Sequence, residues 1–319
     1  MKFAPHLLAG MLALAPPALA QEQLSIATGG TGGVYFPIGG GLAEMISSHL
    51  DGYAAVAEVT GASVENMALI ASGDSDFALA LADTVYQAYT GMGAFEGRQI
   101  GDLRALASIY PNAVQIVALE GSGVASLEDL RGKRVSVGAP GSGTEINAQT
   151  LLEANGITYD DFAPQRLNFN ETADALRDGQ IDAGFWSVGP PTSSIMNLAA
   201  TRPIVLIPLS EEEIGRAQEA EPVFAPYVLA AGIYDGVTED VPTVSIPNAL
   251  VVHADMDDEL AYQVTKLLFE RVEDLRAIHP AANDTTVEFT MAATPIPLHP
   301  GALRYFEEIG AAIPDALRP

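Results

Sequence analysis

The chain contains no cysteine in 319 residues. That excludes disulfides, thiolate metal sites and lipid attachment at an N-terminal cysteine. Basic side chains are scarce, with 15 Lys and Arg against 41 Asp and Glu and a net charge of −26. Such a balance excludes nucleic acid as a partner, because phosphate neutralisation needs clustered Lys and Arg. The acidic residues are scattered, the densest run being Glu211, Glu212 and Glu213, and read as a solvated surface. Fields are screened within about 8 Å at physiological salt, so local donors can still hold an anion. The five histidines (His6, His49, His253, His279, His299) form no pair at helical metal spacing, and neither a metal nor a cofactor is expected. No GxxxxGK[ST] occurs, Gly30-Thr31-Gly32 lacks the third glycine of GxGxxG, and Gly141-Ser142-Gly143 is not a GxSxG elbow. The motifs of a nucleotide enzyme and of a hydrolase are therefore missing, and no catalytic residue is expected.

What is present begins with an export pattern. Lys2, the apolar stretch Leu7 to Ala15 and Ala18-Leu19-Ala20 read as a cleavable signal over residues 1–20. The periplasm is the expected location. No later stretch reaches the roughly 20 apolar residues of a membrane span. The next residues run from a short strand (Leu24 to Ala27) into Gly29, Gly30, Gly32 and Gly33, followed by a helix over about Val34 to Leu50. Glycine admits close approach to backbone N–H groups, and a helix start offers free donors and a partial positive charge. An anion-binding loop opens the mature chain.

Strands and helices alternate thereafter. Strands are expected at Ala54–Val59, Phe77–Leu81, Leu103–Ile109, Ala113–Leu119, Arg134–Val137, Ile181–Trp186 and Val251–His253. Helices are expected at Ser63–Ser72, Asp83–Tyr89, Ser142–Asn155, Glu171–Asp178 and Asp257–Ile278, with Ser142 and Glu145 as a capping box. The class is α/β with largely parallel sheets. Tyr110-Pro111-Asn112 and Pro242 to Pro247 are the expected crossing points between two lobes. Lobe 1 would be 21–111 plus 243–319 and lobe 2 would be 112–242, with a ligand cleft between them.

Three loop-to-helix junctions share one chemistry: Thr28 to Tyr35, Gly61 to Asn66, and Ala139 to Glu145. Each sets Gly with Ser or Thr at a helix start behind a strand, at the ligand end of an open α/β sheet. None contains Lys or Arg, so a carboxylate would be held by dipoles and hydrogen bonds. Singly, Ser63 and Ser142 are ordinary caps; the case rests on convergence. Asp83 reads either as a helix-start carboxylate or as an acceptor for a ligand ammonium or hydroxyl. Trp186, the single tryptophan, stands before Gly189-Pro190-Pro191 and suits a core or a cleft wall equally. Tyr35 leans toward the cleft.

These residues carry a resemblance. Gly29 to Tyr35 (GGTGGVY), Gly61 to Asn66 (GASVEN), Asp129 to Val135 (DLRGKRV), Pro140 to Glu145 (PGSGTE), Gly179 to Ala183 (GQIDA) and Leu298 to Ala302 (LHPGA) resemble, in order and spacing, the TAXI branch of TRAP-transporter solute receptors. The likeness covers nearly the whole mature chain. It implies a two-lobed, type II-like periplasmic binding protein that closes on its ligand. It further implies a small organic acid or amino acid as ligand, C5 dicarboxylate-like as in glutamate or 2-oxoglutarate. The implied partners are TRAP membrane subunits, separate or fused. Family contacts map onto Gly30, Thr31, Tyr35, Ser63, Asn66, Asp83, Ser142 and Thr144, with Gly143 in the same loop, and Phe185 to Gly189 resembles the second-lobe wall. Many members carry Gln two residues before the Asp83 position; Leu81 stands here, so one polar arm is missing. The alternatives are a receptor for another transporter class, such as an ABC-type system, or a sensor subunit, with an exported enzyme after both.

Overall fold

The computed structural model describes residues 21–319, and the signal stretch 1–20 lies outside them. One half of the molecule is built on three parallel-paired strands, β1 (Glu22–Ala27), β2 (Tyr53–Glu58) and β3 (Phe77–Leu81), in the order β2-β1-β3. Helices α1 (Tyr35–His49), α2 (Ser63–Ser72) and α3 (Ala82–Thr90) follow these strands in turn. β4 (Leu103–Leu119) then leaves this half. The other half holds β5 (Arg134–Ser136), β6 (Ala163–Gln165) and β7 (Ala183–Val188), with β5 parallel to both of its neighbours. Helices α4 (Gly143–Ala154), α5 (Phe169–Arg177), α6 (Ser193–Ala199) and α7 (Glu211–Ala220) pack there, with β8 (Ile204–Leu206) and β9 (Ala225–Leu229) at the margins. β10 (Val241–His253) runs back to the first half, where α8 (Asp258–Glu270) and α9 (Val272–Ile278) follow.

Two long strands join the halves. β10 pairs antiparallel with β3 through Asn248–Val252 and with β9 through Val241–Ser245. It pairs with β4 over most of its length, and β4 in turn pairs with β7 and β8 at its far end. The prolines that the sequence reading takes as breaks lie inside these strands. Pro111 of β4 sits opposite Pro247 of β10. A proline has no N–H to give to a ladder, and setting two of them face to face confines the loss to one rung. Leu103–Ile109 and Ala113–Leu119 are consequently one strand of 17 residues, and Val251–His253 is the tail of a strand of 13. The paired prolines leave a weak rung where the two halves meet.

The long helix expected over Asp257–Ile278 is two helices, divided at Arg271, whose φ of −121° and ψ of 26° leave the helical region. Buried apolar side chains form two clusters. One gathers Phe77, Leu79, Leu106, Leu250 and Phe306; the other gathers Val114, Leu130, Leu151, Phe185, Phe224 and Ile246. Among the described residues no helix is long and apolar enough to cross a membrane.

Candidate functional site

The three junctions meet. Gly30, Gly33 and Tyr35 from the first, Gly61, Ala62 and Ser63 from the second, and Ser142, Gly143 and Thr144 from the third line one cavity. It offers about 50 Å³ to the centres of water-sized molecules. One water needs about 10–15 Å³ on that scale, so the space admits a few water-sized groups. None of the lining residues is an Asp, Glu, Lys, Arg or His.

Each junction is shaped by its own residues. The first turns through a Gly33 N–H donated to the Gly30 carbonyl at 3.2 Å, while Thr28 Oγ1 anchors it by donating to the Glu58 carbonyl at 2.6 Å. Neither α1 nor α2 has a side-chain cap at its start, so their first N–H groups need other acceptors. For α2 that acceptor comes from the opposite lobe: Val64 and Glu65 donate their N–H groups to the Gly141 carbonyl at 3.1 and 3.3 Å. The second junction thus gives to the opposite half two donors that the sequence reading assigns to a guest. Ala62, at φ 79° and ψ −144°, holds a conformation costly for any residue with a Cβ. At the third junction Ser142 Oγ accepts from the Glu145 N–H at 3.2 Å. The reciprocal half of the expected capping box is replaced, since the Glu145 carboxylate pairs with Arg166 at 2.6 Å.

The glycines serve lobe contact as much as ligand approach. A Cβ on Gly32 would strike Asn170, and one on Gly33 would lie 3.0 Å from the Phe169 ring. A Cβ on Gly143 would lie 2.6 Å from Leu81 Cδ1 and 2.8 Å from Ser63 Oγ. The two lobes touch through backbone that only glycine leaves bare.

Five expected contacts lie off the cavity wall. Thr31 is exposed and its Oγ1 accepts from Asn170 Nδ2 across the lobes at 3.2 Å. Asn66 is buried beneath the second junction, donating Nδ2 to the carbonyls of Ala27, Thr28 and Leu79 at 3.3, 2.7 and 2.7 Å. It ties three chain segments together. We expect Asn66→Leu to lower the unfolding free energy by about 3 kcal/mol, since buried carbonyls lose their partner; urea unfolding reads it. Asp83 is buried behind the wall, where Asn147 Nδ2 donates to its Oδ2. Burial first, then the Glu221 charge, push its carboxyl up to about 7 against its hydrogen bonds. Trp186 is fully buried, donates Nε1 to Ser194 Oγ at 3.1 Å, and stacks on Phe169 at 6.1 Å between centroids. It backs the wall through Phe169. Gly189 packs under Tyr110 and Ala281, with room for no Cβ.

Other wall residues escaped the sequence reading: Asn112, Asn168 and Phe169; Ser187 and Val188 of the expected stretch Phe185 to Gly189 do line the cavity. Asn112 Nδ2 donates to the Tyr35 hydroxyl at 3.3 Å. Burial raises the Tyr35 phenol's pKa far above its ordinary value, so it stays neutral. Asn112 Oδ1 and Ser187 Oγ are buried with no hydrogen-bond partner, and polar atoms so placed call for one. Asn168 caps α5 in a full capping box with Glu171, a pattern legible in the sequence. Asn112 follows Pro111 in the middle of β4, the strand shared by both halves. Among the described residues, no group of three His, Cys, Asp or Glu side chains is placed to hold a metal.

Solved structures share this architecture. A protein of Bordetella bronchiseptica RB50 superposes with a TM-score of 0.54 at 17% identity, over 92% of this chain and 90% of its own. A putative L-cystine ABC transporter protein from Listeria monocytogenes gives 0.50 at 15%, over 83% and 98%. PhnD1 from Prochlorococcus marinus, solved in complex with methylphosphonate, gives 0.50 at 11%, over 91% and 90%. At such identities the likeness carries the fold alone, a two-lobed α/β fold. A family model matches residues 26–310. On that match, the chain belongs to the NMT1-like family.

Proposed function

We propose that the protein is a periplasmic solute receptor that closes its lobes on a small organic anion and presents it to a membrane transporter. One observation carries this reading: helix starts from both halves, with the orphaned Asn112 Oδ1 and Ser187 Oγ, wall a single small cavity free of formal charge. Free N–H groups of α1 and α4 supply the attraction. The lobes divide as 21–111 plus 243–319 and 112–242, hinged at the facing prolines. Ligand shifts the open–closed balance because it touches both lobes only when they are closed. A carboxylate of the C5 class fits the chemistry, and so does a phosphonate, the ligand class bound by PhnD1 of Prochlorococcus marinus.

The membrane partner is proposed to be an ABC-type transporter, the system named for the Listeria monocytogenes relative in fold. The TAXI-type TRAP partner is the second reading, favoured by the run from Gly29 to Tyr35 and by Leu298 to Ala302. Uptake that requires ATP separates the two. The receptor reading itself is tested by a thermal-shift panel of small carboxylates, sulfonates, phosphonates and amino acids. A dose-dependent rise with an anion supports it, and no rise with any of them speaks against it. For an anion so identified, Thr144→Val is expected to weaken Kd roughly ten- to hundredfold, the loss of a hydrogen bond to a charged group, with unchanged melting of the free protein. Unaltered affinity removes Thr144 from the site.

A further inference from the structure

Asp83 belongs to the lobe of β1–β3, yet its carboxyl is engaged by Asn147 of α4 from the opposite lobe. The carboxyl is 2% exposed. Thr84 Oγ1 also donates to its Oδ1, at 3.4 Å. No cation figures among the groups that act on it, whereas Glu221, past the end of α7, adds a like charge. Further titratable groups stand on the same helix, as Tyr86 and Tyr89, and on the neighbouring elements. Tyr35 of α1 is a half-buried neutral phenol. On α2, Glu65 is exposed and accepts from the Gly61 N–H at 2.7 Å. On α4, Glu145 is held by Arg166 and Glu153 is exposed. The stretch Asn248–Val252 of β10, and β3 beside it, hold no titratable residue, nor does the turn Gly93–Phe95.

Asn147 supplies a second, independent mark. Its Nδ2 donates to Asp83, and its Oδ1 is buried with no partner. An ionised carboxylate only accepts, whereas a protonated one accepts and donates. The neutral acid is the form that brings a donor, and not only acceptors, to a site holding an unpaired amide oxygen.

We propose that Asp83 and Asn147 form a proton-binding site between the lobes, so that closure takes up one proton on Asp83. The proposal rests on the receptor reading and concerns the regulation of that same site. Opening returns the carboxyl to water, where a carboxylate titrates near about 3.9. In the closed form burial moves it to about 7. The sign follows from linkage: the closed state binds more protons between those two values, so closure weakens as pH rises through that window and levels off above it. Ligand affinity falls about tenfold per pH unit there, and the periplasmic pH becomes an input to capture.

The absence of cysteine permits a test that needs no ligand. Thr31 and Asn170 meet across the lobes, so Thr31→Cys with Asn170→Cys gives a disulfide that locks the closed form and releases it on reduction. Carboxyl carbon NMR then follows Asp83, assigned by the signal missing in Asp83→Asn, while small-angle scattering reports the lobe opening. Expected are a midpoint near 7 in the locked protein and near about 4 in the reduced one, with a larger radius of gyration after reduction. A midpoint near 4 in the locked protein overturns the proposal, as does a midpoint near 7 in a reduced protein that has opened. A radius that does not change on reduction overturns the receptor reading instead. Should Asp83→Asn not fold, Asn147→Ala gives the same assignment through its displaced Asp83 signal.

Discussion

Gly143→Val should weaken ligand binding about a hundredfold or more while leaving the free protein folded. A single Cβ at this position would already come within 2.6 Å of Leu81 Cδ1, 2.8 Å of Ser63 Oγ and 3.1 Å of Ser63 Cβ. Both partners belong to the other lobe, in β3 and at the start of α2. Valine adds two methyl groups to that collision, and overpacking costs typically about 1–3 kcal/mol and occasionally more. The clash exists only when the lobes are together. It therefore subtracts from closure and not from folding, and affinity should fall by about a hundredfold or more. The Gly143 φ is not in the left-handed region, so the open form tolerates the substitution. Calorimetry against an anion that stabilises the wild type, with a melting curve of the free variant, separates the two effects. Wild-type affinity in Gly143→Val would show that α4 does not approach Ser63 in the bound state.

The second large effect is on stability. Trp186→Ala should destabilise the fold by about 3–5 kcal/mol, the usual range for deleting a buried aromatic, and lower the melting temperature by roughly 10 °C. Trp186 is fully buried, stacks on Phe169 at an interplanar angle of 22°, and satisfies Ser194 Oγ. Deletion leaves a cavity, an orphaned hydroxyl and an unsupported Phe169 ring in the wall. The indole itself does not line the cavity. Its emission should accordingly be that of a shielded tryptophan, and acrylamide quenching should stay low with and without ligand. Strong quenching in the free protein, relieved by ligand, would place the ring in the cleft after all.

Much of this was legible in the residues. The three Gly-Ser/Thr junctions announce helix starts behind strands, and the sheet brings all three to one cavity. The chain's alternation of strands and helices gives the α/β class. What escaped was long-range. Pro111 and Pro247 read locally as breaks, because no local pattern reveals that each faces the other across β4 and β10. Asp83 and Asn66 have the residue types of ligand contacts, yet one bridges the lobes and the other ties backbone. Burial decides between those roles, and burial follows from partners far apart in sequence. Asn112 carried no motif, and Ser187 only its place in the stretch Phe185 to Gly189; both matter because the fold leaves their oxygens unpaired.

On the proposed reading, a small anion is held between the lobes by uncharged donors. Small-angle scattering with an anion selected from the thermal-shift panel tests it most directly, on wild type and Gly143→Val together. The anion should shrink the wild-type radius of gyration and leave that of Gly143→Val unchanged. An anion that binds the wild type tightly with no compaction, or that compacts both proteins alike, would contradict that reading.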